Sequence, residues 1–360
     1  MPLRRHPLRR SAHDHPVLRA KLSRPNLGAH VLDRPHLTRA LIDHADCALT
    51  LVVADAGYGK TTLLAGYARA VARPVVWYSL MGSDADPVVF GRYLLEGFRR
   101  EHPRFGRDFH VALEEARPGL PSVEMLAGTL ANELAALKGP PHLLVLDDFQ
   151  EVAGNPQVVA FMDTLLRHLP PRVRILVATR ALPPLGLERM RARGDVFELN
   201  SSHLRLSSDE LARLFAEVYR RPLGEEALNA LERTTLGWPT AVHLVYESLQ
   251  RSERATLEEV LEDFHASNLE LHDYLSSEVY ARLDPGARRM LERTAALTRF
   301  DADLASTLAG RDGNARALLE SLTRRGLLRT FGTGTQASYE CHDLVRRFIR
   351  QEIESSGGPA

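Results

Sequence analysis

The sequence is poor in cysteine, in net charge and in long apolar runs, and each shortage excludes a class of protein. Cys47 and Cys341 are its only cysteines. Two thiols with no CxxC or Cys/His spacing around them build neither a disulfide framework nor a zinc site, and they suit a reducing compartment. Lys plus Arg and Asp plus Glu both total 46, so the formal charge is zero. That excludes a globally basic nucleic-acid coat and an acidic disordered chain, although local patches remain open. No stretch nears the ~20 apolar residues that span a bilayer, and the N-terminus lacks the apolar core of a secretory signal. A cytoplasmic protein without a membrane partner is the expectation. No repeat of 20 to 50 residues is present either, which argues against a solenoid.

What remains is ordinary globular composition, 44% hydrophobic and 26% charged over 360 residues, enough for two or three domains. Residues 1–24 carry Arg4, Arg5, Arg9, Arg10, Arg19, Lys21 and Arg24 against Asp14 alone, without apolar periodicity, which predicts a flexible basic arm. In residues 25–200, short apolar runs at 48–55, 74–80, 142–148, 172–180 and 196–200 alternate with helical stretches. Continuously apolar strands between helices predict an α/β domain, a parallel sheet with helices on both faces. Residues 201–270 read as helical, beginning at the capping box Ser207-x-x-Glu210. Residues 271–354 give helical runs at 285–297, 303–309 and 314–325, then two short strands joined by Gly-Thr-Gly-Thr-Gln at 332–336. Three helices before a glycine-turned hairpin is the order of a winged helix. Residues 355–360 read as a disordered tail.

The strongest chemical signal is Ala54-Asp-Ala-Gly57-Tyr-Gly59-Lys60-Thr61-Thr62, between the apolar run 49–53 and a helical stretch. Apart from Ala in place of the first Gly, this is a P-loop in the strand, loop, helix context that gives such a match its meaning. Gly57 and Gly59 let backbone N–H groups wrap phosphates at a helix N-terminus. In that setting Lys60 reaches the β- and γ-phosphates and the Thr61 hydroxyl ligates Mg2+. The second signal is Leu143–Asp148, an apolar strand ending in Asp147 and Asp148, at the sheet edge where ligands bind. Asp147 is placed to hold Mg2+ through water and Asp148 to orient or deprotonate an attacking water. A third candidate, Arg180, ends the run 172–180, where a guanidinium either senses a γ-phosphate or begins a surface loop.

Taken together, the motifs resemble those of the STAND class of signal-transducing P-loop ATPases, within it the MalT-like, large ATP-dependent LuxR-type regulators. The resemblance runs from KLSRP at 21–25, with Val31, Arg34 and Leu37, through AGYGKTTLL, WYSL with Asp84 and Asp86, LLVLDDF and ATRALPPLGLERMRARG. It continues in LGWPTAVHL and YECHDLVRRFIR, in the family's order. It implies a nucleotide-binding domain, a helical domain and a winged helix closing over one ATP or ADP. ADP then holds a closed form, whereas inducer plus ATP opens it for self-association. By matching motif, Lys60, Thr61 and Thr62 bind phosphate and Mg2+, Asp147 and Asp148 complete the hydrolytic site, and Arg180 is the sensor. Pro239 packs on the adenine, His342 contacts the ADP phosphates and Arg34 lines the pocket. Family members usually continue into a sensor and an effector. This sequence ends soon after the winged helix, so it is a short switch, a subunit recruiting its effector, or a fragment.

The leading expectation is therefore a slow ATPase serving as a switch in transcription control. A DNA-binding initiator or loader is the alternative enzyme class, with Arg324, Arg325, Arg329, Arg346, Arg347 and Arg350 as phosphate contacts. Those arginines equally suit a solvated face or pairing with acids of the other domains. A nucleotide-binding scaffold without turnover is the third reading.

Overall fold

The computed structural model describes residues 17–28, 31–116, 122–251, 256–261, 269–309, 315–331 and 337–355. The five apolar runs up to residue 200 become β1 (Leu49–Val53), β2 (Val75–Ser79), β3 (His142–Asp147), β4 (Val173–Thr179) and β5 (Val196–Asn200). They pair in parallel in the order β2-β3-β4-β1-β5. All of β1 and β3 is buried, as expected of strands covered on both faces.

The two faces differ in what covers them. Leu49, Leu51, Val53, Leu146 and Val177 face the helices Pro87–Glu101, Val123–Ala135 and Pro156–Arg167, and this core closes within the α/β domain. Val52, Val145, Leu176 and Ala178 face the helices Pro35–Asp43 and Lys60–Ala70. From there apolar contact runs on through Phe215, Trp238 and Val242 to Leu319, Leu322 and Phe348, so all three regions share one core.

The strand order also sets the functional edge. β4 lies between β1 and β3, with Val53 opposite Thr179 and Leu146 opposite Val177. Residue 180 therefore emerges between the P-loop and the carboxylates at the end of β3.

Past β5 the chain turns helical at once, in Ser201–Leu204. The capping box forms as expected: Ser207 Oγ accepts from the Glu210 N–H at 3.2 Å, and the Glu210 carboxylate accepts from the Ser207 N–H at 3.0 Å. The helices Glu225–Thr235, Pro239–Arg251 and Leu269–Tyr274 follow, the last continuing as a wider turn to Tyr280. The expected boundary at 270/271 thus falls inside a helix.

The winged helix comprises helices Pro285–Thr294, Ala302–Ala309 and Ala315–Arg325 with β7 (Leu328–Phe331) and β8 (Ser338–Cys341), then the helix Asp343–Ser355. One strand was not expected. β6 (Phe300–Asp301) pairs with β8 to give an antiparallel sheet ordered β6-β8-β7. Two residues are too few to show a period of two. The 332–336 connection and residues 356–360 lie outside the described residues.

The basic arm expected over 1–24 needs correction at its end. Arg19–Leu22 forms a 3-10 turn, and the Lys21 ammonium lies 2.6 and 2.8 Å from the Asp84 oxygens, both side chains buried. Arg24 donates to the Ala68 carbonyl at 2.6 Å. A lysine that buries its stem and reaches a carboxylate leaves no trace in apolar periodicity. Residues 1–16, with the arm's other arginines, lie outside the described residues. Among the described residues no helix is long and apolar enough to cross a membrane.

Candidate functional site

β1 ends at Val53, and the loop 54–59 delivers the chain into the helix Lys60–Ala70. Gly57 and Gly59 both have left-handed backbone, φ +77° and +76°, a region that strains residues with a Cβ. Gly57 has a second reason to be glycine. A Cβ there would stand 2.3 Å from Thr240 Oγ1, whereas one at Gly59 would meet open space.

Lys60 is 7% exposed and donates to the carbonyls of Ala54 at 2.8 Å and Asp55 at 2.9 Å. Burial lowers its ammonium to about 8, while the carboxylates of Asp55, Asp148 and Asp147 pull the other way. Thr61 Oγ1 donates to Asp147 Oδ1 at 3.1 Å. The Asp147 carboxyl is pushed up to about 6, first by burial and then by Asp148 beside it, with the Thr61 hydroxyl holding it back.

Asp148 follows in a left-handed conformation, φ 60°, uncommon for a side chain with a Cβ. Its Oδ1 accepts from Gln150 Nε2 at 2.9 Å, and Gln150 Oε1 accepts from the Arg180 N–H at 3.1 Å. The Arg180 guanidinium donates to the Glu278 carboxylate at 2.8 Å and also to the Glu278 carbonyl. One short hydrogen-bonded chain thus links Asp148, Gln150, Arg180 and Glu278. Glu278 lies on the turn Leu275–Tyr280 that leads into the winged helix.

The P-loop is also held from two further directions. From the helical region, Trp238 Nε1 donates to the Ala56 carbonyl at 3.2 Å, and the Thr240 N–H and hydroxyl donate to the Gly57 carbonyl at 3.2 and 3.1 Å. From the winged helix, Arg325 donates through Nε and Nη2 to Asp55 Oδ2 at 3.1 and 2.8 Å. The Asp55 N–H donates to the Arg325 carbonyl at 3.0 Å, and the Tyr58 hydroxyl to the Gly326 carbonyl at 3.1 Å. Sequence reasoning missed Asp55, Gln150, Trp238, Thr240 and Glu278 as parts of this site. For Arg325, pairing with an acid of another domain, one of its three expected readings, is the one observed.

A cavity of about 840 Å³ opens beside the loop, with Gly57, Gly59, Thr62, Arg34 and Pro239 on its wall. Five site residues expected from sequence, Lys60, Thr61, Asp147, Asp148 and Arg180, converge at the sheet edge next to it. Two further expected residues are held by protein neighbours, Arg34 on the cavity wall as expected and His342 away from it. Arg34 borders the cavity but spends its guanidinium on the Glu210 carboxylate at 2.7 and 3.0 Å and on the carbonyls of Leu204 and Arg205, both at 2.7 Å. His342 is buried off the cavity wall, its Nε2 3.1 Å from the Thr235 carbonyl and its ring edge-on to Trp238. The Thr235 carbonyl at the end of the helix Glu225–Thr235 thus faces its Nε2, while its Nδ1 accepts from the Leu344 N–H at 3.3 Å. Both residues fasten one region to another.

Comparison with known proteins agrees with this layout. Residues 43–183 match the family described as an AAA domain, and residues 276–360 match the MalT winged helix domain. The HTH-type transcriptional regulator MalT of Vibrio cholerae is 30% identical over 337 residues, 93% of this chain and 37% of that protein. Its counterpart from Serratia proteamaculans is 31% identical over 343 residues, 94% of this chain and again 37% of that protein. The chain therefore spans a little over a third of the length of these relatives. Among solved structures, a Walker-type ATPase of Pyrococcus abyssi superposes with a TM-score of 0.55 at 14% identity, covering 89% of this chain and 96% of that one. With its parallel P-loop sheet, helical region and MalT-type winged helix, this chain resembles the nucleotide-binding module of MalT-like regulators of the STAND class.

Proposed function

We propose that this module is an ATP/ADP-dependent switch in transcriptional regulation, with slow hydrolysis resetting its state. One observation carries the reading: the phosphate loop is bonded at the same time to the helical region, through Trp238 and Thr240, and to the winged helix, through Arg325. A ligand that reshapes residues 54–60 therefore acts on atoms that dock both other regions. A ligand shifts such an equilibrium only through different affinities for its two forms, and these shared atoms supply the difference.

The residues fit a nucleotide with Mg2+. Gly57, Gly59, Thr62 and the buried Lys60 hold the phosphates, and Pro239 flanks the adenine in the 840 Å³ cavity. The Thr61–Asp147 pair is the oxygen donor set for Mg2+. When bound, that ion neutralises charge on the phosphates. Asp148, oriented by Gln150, takes the proton of an attacking water. Arg34 and His342 are positioning residues that hold the surrounding regions in register. ADP stabilises the docked form, and ATP favours the opened, self-associating form that passes a signal to sensor and effector segments.

Extraction of nucleotide from freshly purified protein tests this reading, with close to one ADP per chain expected. Lys60→Ala removes the cation aimed at the β- and γ-oxygens and should abolish or greatly weaken ATP binding while the fold persists. Unchanged ATP affinity in the folded variant would overturn the assignment.

A further inference from the structure

The guanidinium best placed to recognise a γ-phosphate is already engaged. Arg180 leaves β4 between the P-loop and the β3 carboxylates, close enough to Lys60 to add to the lowering of its ammonium. Its backbone N–H is fixed by Gln150, but its side chain turns to Glu278, bonding both carboxylate and carbonyl. We propose that Glu278 sets the triphosphate-to-diphosphate preference of this site. Its carboxylate occupies Arg180 while the winged helix is docked, and the γ-phosphate of a nucleoside triphosphate displaces it.

Three features make this pair exchangeable. First, both are oxyanion partners of one guanidinium, and a phosphate offers Arg the same fork geometry as a carboxylate with more charge. Second, the Glu278 side chain is 35% exposed, so water reaches the pair. Third, the displaced carboxylate has somewhere to go: Arg282 Nε, on the next turn, lies 3.6 Å from Glu278 Oε2, and Arg282 also holds Glu151 at 2.8 Å. A diphosphate lacks the group that competes for Arg180, so it leaves Glu278 in place. Because Glu278 sits on the turn that enters the winged helix, its release loosens that region at the sheet edge.

This inference rests on the nucleotide reading above, and the test separates the two. The full chain is titrated with ATP and with ADP, in the presence of Mg2+, as wild type, Glu278→Gln, Arg180→Gln and the double variant. Removing a competing charge from a half-exposed pair should raise the ATP-to-ADP affinity ratio about 2- to 5-fold in Glu278→Gln. Arg180→Gln should lower the ratio below wild type, and adding Glu278→Gln to it should change nothing further. Glu278→Ala, which also removes the side-chain acceptor and leaves only the backbone carbonyl, should match or exceed the effect of Gln. A wild-type chain that binds neither nucleotide overturns both readings. A chain that binds both, with one ratio in wild type, Glu278→Gln and Glu278→Ala, overturns the role of Glu278 alone.

Discussion

Two of the ion pairs that join the winged-helix side of the molecule to the P-loop domain have opposite character. Asp55–Arg325 is sealed, its side chains 1% and 6% exposed, with two guanidinium nitrogens on one carboxylate oxygen and a backbone hydrogen bond between the same residues. Arg180–Glu278 is open to water on the Glu278 side and shares its carboxylate with Arg282. Breaking one partner of a buried pair strands an unsolvated charge, whereas an exposed pair exchanges its partners for water or another ion at little cost. The first contact therefore suits an anchor that fixes where the winged helix sits, and the second is the one proposed to respond to what occupies the phosphate end.

The sharpest way to break this contrast is Arg325→Ala, which leaves the Asp55 carboxylate buried without its cation. It should cost about 3–5 kcal/mol, seen as a large drop in denaturant midpoint and faster proteolysis of residues 276–355. A loss under about 1 kcal/mol would mean that the pair is no anchor. His342→Leu is the intermediate case, because it removes the ring's hydrogen bond to the buried Thr235 carbonyl, which keeps the Trp238 N–H at 2.9 Å. It should cost about 0.5–1.5 kcal/mol of stability. It should also reduce ADP affinity only insofar as the winged helix undocks. An ADP affinity that falls while protease resistance stays at wild-type level would instead make His342 a direct ligand. Glu278→Gln should have the smallest effect on stability, about 0.2–1 kcal/mol. A larger loss would make both pairs anchors and erase the difference between them.

Much of the fold was legible because it is written in local pattern. Apolar runs gave all five strands of the parallel sheet, the Ser207–Glu210 capping box gave a helix start, and glycines before Lys60 gave the phosphate loop. Asp147 was legible for the same reason, as the end of a continuous apolar strand. What pattern does not carry is partnership at long range. Asp55 and Arg325 are 270 residues apart and Arg180 and Glu278 are 98 apart, and neither pair shares a period, a cap or a motif. Lys21 misled for the converse reason, since a basic stretch reads as solvated until the carboxylate that buries one of its members is known. Arg34 and His342 belonged to recognisable motifs, but a motif does not say whether a side chain faces a ligand or a neighbouring helix.

The central claim, that nucleotide state and winged-helix docking are read through the same loop, is tested most directly by hydrogen exchange over residues 315–331 with saturating ADP and with a non-hydrolysable ATP analogue. Protection with ADP and faster exchange with the analogue is the result expected here. Identical exchange in this segment with the two nucleotides, both bound, would contradict it.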